Sequence, residues 1–312
     1  MNRPYYDFST FLKKYFTGKV QKISIHAGFT CPNRDGSKGI GGCTYCNNRS
    51  FNPDYCVSTT SVTKQLEEGK IFFRRKAKYA GLKFLAYFQA YTNTYGEFSR
   101  LKSLYEEALA CEDVVGLVIG TRPDCVDDRL LDYFQDLSKE KYVMIEYGVE
   151  STDDNTLKRI NRGHDFACAC KAIRDTASRG IQTGAHLILG LPGETPEMIL
   201  KGADRMSELP IDIIKLHQLQ IVRDTPMADE YAKNPDEFKL FSIEAYQQLL
   251  AEFVERLRDD ICIERFVSQT PKSILVAPDW GLKNYEFTDR LNKIFEERGT
   301  TQGKLKMLNA KC

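Results

Sequence analysis

Through the middle of the chain, short apolar runs alternate with longer segments of helical period. The runs KISIHAGFT, KFLAYFQ, VVGLVIGT, YVMIEYGV, TGAHLILG and DIIKLHQLQI predict six strands. Between them, helices are predicted near Thr63–Tyr79, Phe98–Ala110, Asp127–Ser138, Phe166–Arg179 and Pro196–Glu208. Strands this apolar are buried on both faces, which points to a parallel sheet covered by helices. The expected fold class is α/β, a partial (β/α)6 TIM-like barrel, with a doubly wound sheet as the alternative.

In such barrels the site lies at the C-terminal ends of the strands. The unusual residues of this chain gather there: a cysteine loop after the first strand, then QAYTNTYG, TRPDC, GVES, LGLPGE and QIVRDTP after the others. The reading divides the chain into an N-terminal segment (1–20), a barrel core (21–222) and a C-terminal extension (223–312). The extension carries a helix at Ser242–Leu257, then ICIERFVSQ and PKSILVAPDWGLKNYEFTDRLNKIF, and is expected to close the open side of the barrel. Its last stretch, GTTQGKLKMLNAKC, is polar and expected to be mobile.

Composition narrows the class. Lys and Arg number 44 against 43 Asp and Glu, so any basic surface must be local. The first residues, MNRPYYDFSTFLKKYF, lack the apolar core of a signal peptide, and no run is long enough to span a membrane, so a cytoplasmic protein is expected. In that setting most of the ten cysteines are expected to be reduced. Cys168 and Cys170 fall on different faces of one helix and make a poor metal pair.

Three cysteines stand apart. Cys31, Cys43 and Cys46 are spaced Cys-x11-Cys-x2-Cys in CPNRDGSKGIGGCTYC. Three thiolates are one short of a closed tetrahedral site, which suits a cluster that keeps a position open. A zinc site completed by a distant residue is the alternative, with His186 and His217 as candidate fourth ligands. Elsewhere on the rim, Arg162 in NRGH can fork onto a carboxylate, or be an ordinary helix-end arginine. Glu150, followed by Ser151 in GVES, can accept ribose hydroxyls, or pair with a neighbouring cation. Gly190 in LGLPGE permits close ligand approach or simply makes a turn, and Gln89 and Thr92 follow the second strand where an amino group could be held.

These residues resemble the radical S-adenosylmethionine (SAM) superfamily, and closely its YhcC/YtqA-type bacterial branch. The matching stretches are CPNRDGSKGIGGCTYC, YFQAYTNTY, TRPDC, EYGVES, NRGH and HLILGLPGE, within a likeness running from about Lys19 to Phe295. The wide cysteine motif and the extension also resemble the catalytic subunit of Elongator. The resemblance implies that Cys31, Cys43 and Cys46 hold a 4Fe–4S cluster whose open iron chelates SAM. Reductive cleavage of SAM would yield a 5′-deoxyadenosyl radical that abstracts a hydrogen atom. It further implies Glu150 at the ribose, Arg162 at the methionine carboxylate and His186 at a third SAM contact.

The implied substrate is a tRNA wobble uridine, its C5 carboxymethylaminomethyl group converted to aminomethyl. An electron donor such as flavodoxin or ferredoxin is implied as partner. A small metabolite or protein side chain is the alternative substrate, and a zinc-binding RNA-interaction module the alternative of another class. With the sequence ending at Cys312, no acetyltransferase domain is expected, and acetyl-CoA chemistry is not carried over. Lys70, Arg74, Arg75, Lys76, Lys78 and Lys83, interleaved with Phe72, Phe73 and Tyr79, offer a basic run for RNA or else a solvated helix face; Lys272, Lys283, Arg290 and Lys293 offer a second patch.

Overall fold

The computed structural model describes residues 3–76 and 81–305. Its six expected strands are β1 (Val20–Ile25), β2 (Lys83–Phe88), β3 (Val114–Thr121), β4 (Tyr142–Glu150), β5 (Gln182–Leu189) and β6 (Ile213–Gln218). They run parallel in sequential order, the arrangement of successive right-handed crossovers. A short β7 (Ile221–Val222) leads into the extension, whose β8 (Cys262–Arg265) pairs parallel with β6 as a seventh strand. A separate β9 (Leu275–Ala277) pairs antiparallel with β7. The sheet curls into a half-barrel, so the doubly wound alternative does not apply.

Helix α1 (Phe8–Leu12) precedes the sheet, and α2 (Val62–Lys76), α3 (Phe98–Ala110), α4 (Asp128–Ser138), α5 (Asp154–Arg159), α6 (Phe166–Ala177) and α7 (Pro196–Ser207) cover its outer face. In the extension follow α8 (Pro226–Lys233), α9 (Ile243–Arg256) and α10 (Asn284–Arg298). The sequence sets many of the helix starts. Asp127, Asp165, Thr195 and Ser242 each accept from a backbone N–H in the first turn, and Pro196 occupies a position where the missing N–H costs nothing.

Strand alternation separates two interiors. Outward residues such as Ile23, Phe88, Ile119, Ile145 and Leu187 join the large core beneath the helices. Inward residues near the starts of the strands, including Leu85, Met144, Ile213 and Cys262, pack with Phe11 and Leu12 of α1. Helix α1 thus plugs the bottom of the half-barrel. The N-terminal segment also closes the sheet edge: Asp7 bridges Ile263, and Ile263 N–H donates to Tyr6 O at 2.8 Å.

Above the plug lies a layer of charge. Glu146, wholly buried on β4, accepts from Lys22 at 2.7 Å and from Lys215 at 2.6 Å, while Glu264 of β8 accepts from Lys22 at 2.6 Å. Gly184 on the adjacent strand makes room, since a Cβ there would sit 3.0 Å from Glu146 Cγ.

The C-terminal stretch departs from the mobile tail expected. Gln302 is buried, donating to Arg258 O at 2.7 Å and Ile261 O at 2.8 Å and accepting from Tyr6 N at 2.9 Å. These bonds dock its first residues onto both the extension and the N-terminal segment; residues 306–312 lie outside the described residues.

Candidate functional site

The cysteine loop leaves β1 and folds back on itself at the C-terminal rim. Gly42 N–H donates to Asn33 O at 2.7 Å, with Gly41 and Gly42 both left-handed at φ +82° and +78°. Buried Asn33 donates to Asn161 O at 2.6 Å, tying the loop to the turn after α5, and its Nδ2 lies 3.7 Å from Cys43 Sγ. Arg162 Nη1 approaches the same sulfur at 3.5 Å, and Asn48 Nδ2 approaches Cys46 Sγ at 3.8 Å. Donors aimed at sulfur favour its metal-bound or thiolate form. Burial otherwise pushes the Cys46 thiol up to about 11, so a cation must displace its proton.

All three cysteines line one cavity of about 210 Å³ at the rim. Its walls also carry Gln89, Thr92, Glu150, Arg162, His186 and His217. Glu150 is held there by backbone irregularity: β4 bulges between Gly148 and Glu150, and Glu150 adopts φ +71°, a costly angle for a residue with a Cβ. Gly148 leaves room for it, since a Cβ there would stand 2.4 Å from Glu150 Oε1 and 2.7 Å from Arg162 Nη2. Burial raises the Glu150 carboxyl, with Arg162, at 3.7 Å, opposing.

Among the described residues that line the cavity, Arg162, Thr92 and Arg265 each have a buried polar atom with no partner. These atoms are Arg162 Nε, Thr92 Oγ1 and Arg265 Nε. The other amino groups of Arg162 face Gly148 O and Cys43, so Nε is its free donor. Arg122 fixes the turn by donating to Arg162 O at 2.9 Å while Asp124 holds it at 2.9 Å and 3.0 Å. Orphaned buried polar atoms beside three cysteines fit a ligand that brings its own amino and carboxylate groups.

The zinc alternative finds less support. Among the described residues, no three His, Cys, Asp or Glu side chains are arranged to hold a single metal ion. His186 Nε2 lies 3.1 Å from Glu146 Oε2, and His217 Nε2 faces the Arg265 guanidinium.

The structure does not bring Ser151 and Gly190 to the cavity. Both are bound to Glu194: Ser151 Oγ donates to Oε1 at 2.6 Å, and the N–H groups of Gly190 and Leu191 donate to Oε2 at 3.1 Å. Gly190, at φ +89°, abuts the ring of Phe241, which would lie 2.8 Å from a Cβ. GVES and LGLPGE therefore brace each other through Glu194. Burial pushes that carboxyl up to about 7. Because the folded state binds its proton more tightly than the unfolded chain, stability falls as pH rises from about 4.5 to 7. Glu194→Gln keeps an acceptor for the two N–H groups and cannot ionise. Thermal unfolding of this variant should vary less over that window than wild type, by about 1–2 kcal/mol.

Sequence reading missed Asn33, Asn48, Arg122, Glu146, Lys215 and Arg265. Glu146 and Lys215 were detectable as lone charges inside apolar runs, and the TRPDC stretch contains Arg122. The basic run is less positive than the sequence suggests. Lys70 pairs with Glu67 at 2.5 Å, and Arg74 and Lys83 both pair with Asp113 at 2.7 Å and 2.6 Å. Lys78 and Tyr79 lie outside the described residues. In the second patch, Lys272 faces Asp279 at 3.5 Å.

The half-barrel thus carries a three-cysteine loop and unpartnered buried polar atoms around one cavity at its C-terminal rim. Sequence comparison specifies the class: the radical SAM superfamily matches residues 30–206 and the Radical_SAM C-terminal domain residues 211–297, and the chain belongs to the radical SAM superfamily. It is 34% identical to YtqA of Bacillus subtilis over 96% of this chain and 92% of that one. With YhcC of Escherichia coli K12 it shares 37% over 92% of this chain and 91% of the other. More distantly, it is 23% identical to a tRNA uridine(34) acetyltransferase of Methanocaldococcus infernus, over 59% of this chain and 34% of that protein. The structure of Elp3 from the same archaeon, lacking its N-terminus, has the same fold (TM-score 0.67, 16% identity, 92% of this chain and 65% of that chain). The protein is a radical SAM enzyme.

Proposed function

We propose that Cys31, Cys43 and Cys46 hold a 4Fe–4S cluster with one open iron for SAM, and that the enzyme remodels the C5 substituent of a tRNA wobble uridine, from carboxymethylaminomethyl to aminomethyl, the two carboxymethyl carbons leaving as glyoxylate, with water supplying the aldehyde oxygen and SAM serving as the two-electron oxidant. The observation that carries the cofactor reading is the pair of unbonded buried atoms, Arg162 Nε and Thr92 Oγ1, in the cavity shared by the three cysteines. When bound, the cluster and SAM supply a carbon radical for hydrogen abstraction. The residues around them have separable tasks. Arg162 Nε meets the methionine carboxylate, Gln89 and Thr92 the amino group, and Glu150 the ribose. Asn33, Asn48 and Arg162 donate toward the cysteine sulfurs, and the apolar plug beneath keeps water from entering through the barrel floor.

The RNA reading draws on the relative named for tRNA uridine(34). That protein's acetyl transfer is not carried over, because the match spans 34% of its length. An external one-electron donor of the flavodoxin or ferredoxin kind serves as partner. No helix among the described residues is long and apolar enough to cross a membrane.

Anaerobic incubation of the reconstituted enzyme with SAM, reductant and tRNA bearing carboxymethylaminomethyluridine tests the proposal. Mass spectrometry of digested nucleosides should show loss of that nucleoside and gain of the aminomethyl form. Unchanged nucleosides alongside 5′-deoxyadenosine production would overturn the RNA substrate and favour a small metabolite or protein side chain.

A further inference from the structure

Among the described residues of the charge layer, three cations, Lys22, Lys215 and Arg265, stand against two carboxylates, Glu146 and Glu264. Lys22 and Lys215 are matched by Glu146 and Glu264, through contacts of 2.7, 2.6, 2.6 and 3.2 Å. Arg265 stands outside this balance. Its guanidinium faces His217, and its Nε is buried without a partner. Burial, reinforced by Arg265, holds the His217 imidazole well below its ordinary range, so the ring is neutral and accepts from the guanidinium without neutralising it.

A β-bulge aims Arg265. Ile214 pairs with Ile263 and Lys215 with Arg265, which leaves Glu264 as the extra residue. In a regular strand, Glu264 and Arg265 would point to opposite faces. The bulge turns both inward: Glu264 reaches the lysines of the charge layer, and Arg265 lines the cavity that holds the cysteines. The neighbouring wall is already satisfied. Gln218 and Ser268 exchange two hydrogen bonds of 3.0 Å, and Thr270 donates to Gln220 at 3.0 Å. Arg265 is thus a charged donor on this wall with capacity to spare. Arg162, 3.5 Å from Cys43, is the arginine placed for a ligand held at the cysteines.

We propose that Arg265 anchors a carboxylate of the substrate, the free end of an N-substituted glycine, inside the cavity. The inference rests on the wobble-uridine substrate proposed above, whose carboxymethylamino group has this chemistry. The carboxylate accepts from the guanidinium N–H groups that His217 leaves free and balances the third cation of the layer.

Binding of two anticodon stem-loop RNAs, one with carboxymethylaminomethyl and one with aminomethyl at the wobble uridine, tests the anchor. Reconstituted wild-type enzyme should prefer the carboxylated RNA by about tenfold or more, Arg265→Gln should lose that preference, and Arg265→Lys should keep part of it. Loss of substrate-independent 5′-deoxyadenosine formation in Arg265→Gln, with unchanged thermal unfolding, would assign Arg265 to SAM and overturn the proposal. A preference that survives in Arg265→Gln overturns the anchor and leaves the RNA substrate standing. If wild type binds neither RNA, the RNA substrate fails, and sarcosine, an N-methylated glycine, decides on the anchor. A thermal shift by sarcosine that Arg265→Gln abolishes supports it; no shift in wild type, or an equal shift in both, overturns it.

Discussion

Replacing Cys43 by alanine is expected to abolish iron incorporation and SAM cleavage while leaving the fold intact. Cys43 is the buried centre of the loop, approached by Asn33 Nδ2 at 3.7 Å and by Arg162 Nη1 at 3.5 Å. Without its sulfur the loop offers two thiolates, and a cluster that keeps one iron open cannot be held by two. Cys31→Ala and Cys46→Ala should behave alike. Asn33→Ala removes only a donor toward sulfur, and its effect on cluster retention should be smaller, about 10–100-fold. Cys168, in the first turn of α6 and off the cavity wall, provides the contrast. Cys168→Ala should retain iron and 5′-deoxyadenosine production within about twofold. Iron and sulfide content per chain and anaerobic product assays read all five variants.

Glu146→Ala is expected to be the most destabilising single change in the barrel, at about 3–5 kcal/mol. Burial alone would raise this carboxyl, but Lys215 and Lys22, with His186, outweigh it and hold it well below the usual carboxylate range. Truncation leaves two lysines in the interior with only Glu264 to face. A depressed folded value means that the ionised network stabilises fully above about pH 4.5 and weakens as pH falls toward that value. Chemical denaturation at pH 7 measures the loss. In a double-mutant cycle, Glu146→Met with Lys215→Met should cost less than the two single changes summed, because the second removes the charge that the first strands.

The same network shows where sequence reading reaches and where it stops. The β/α alternation was legible because each buried strand is a continuous apolar run, and the six core strands fall where the pattern put them. The seventh was not, since CIER is four residues long and joins the sheet only because β6 presents a free edge. The cysteine spacing was legible as one site, and the cavity gathers its three members with six other residues named from sequence. Ser151 and Gly190 belong to recognisable motifs, but motif membership does not tell which side of a turn faces the cavity. Glu194, two residues outside the stretch's apolar part, draws both away. Arg265 was hidden for a different reason. Alternation alone sets it and Glu264 on opposite faces, and only the bulge turns both inward. The tail followed polarity in the sequence reading, whereas the three hydrogen bonds of Gln302 dock its start.

The central claim is that three thiolates hold a cluster with one position open to SAM. Electron paramagnetic resonance of the anaerobically reconstituted, reduced enzyme, recorded with and without SAM, tests it directly. The predicted result is a reduced-cluster signal whose shape changes when SAM is added, in wild type and in Cys168→Ala, and which is absent from Cys43→Ala. A reduced-cluster signal identical with and without SAM, or a protein that binds zinc in place of iron, would contradict the claim.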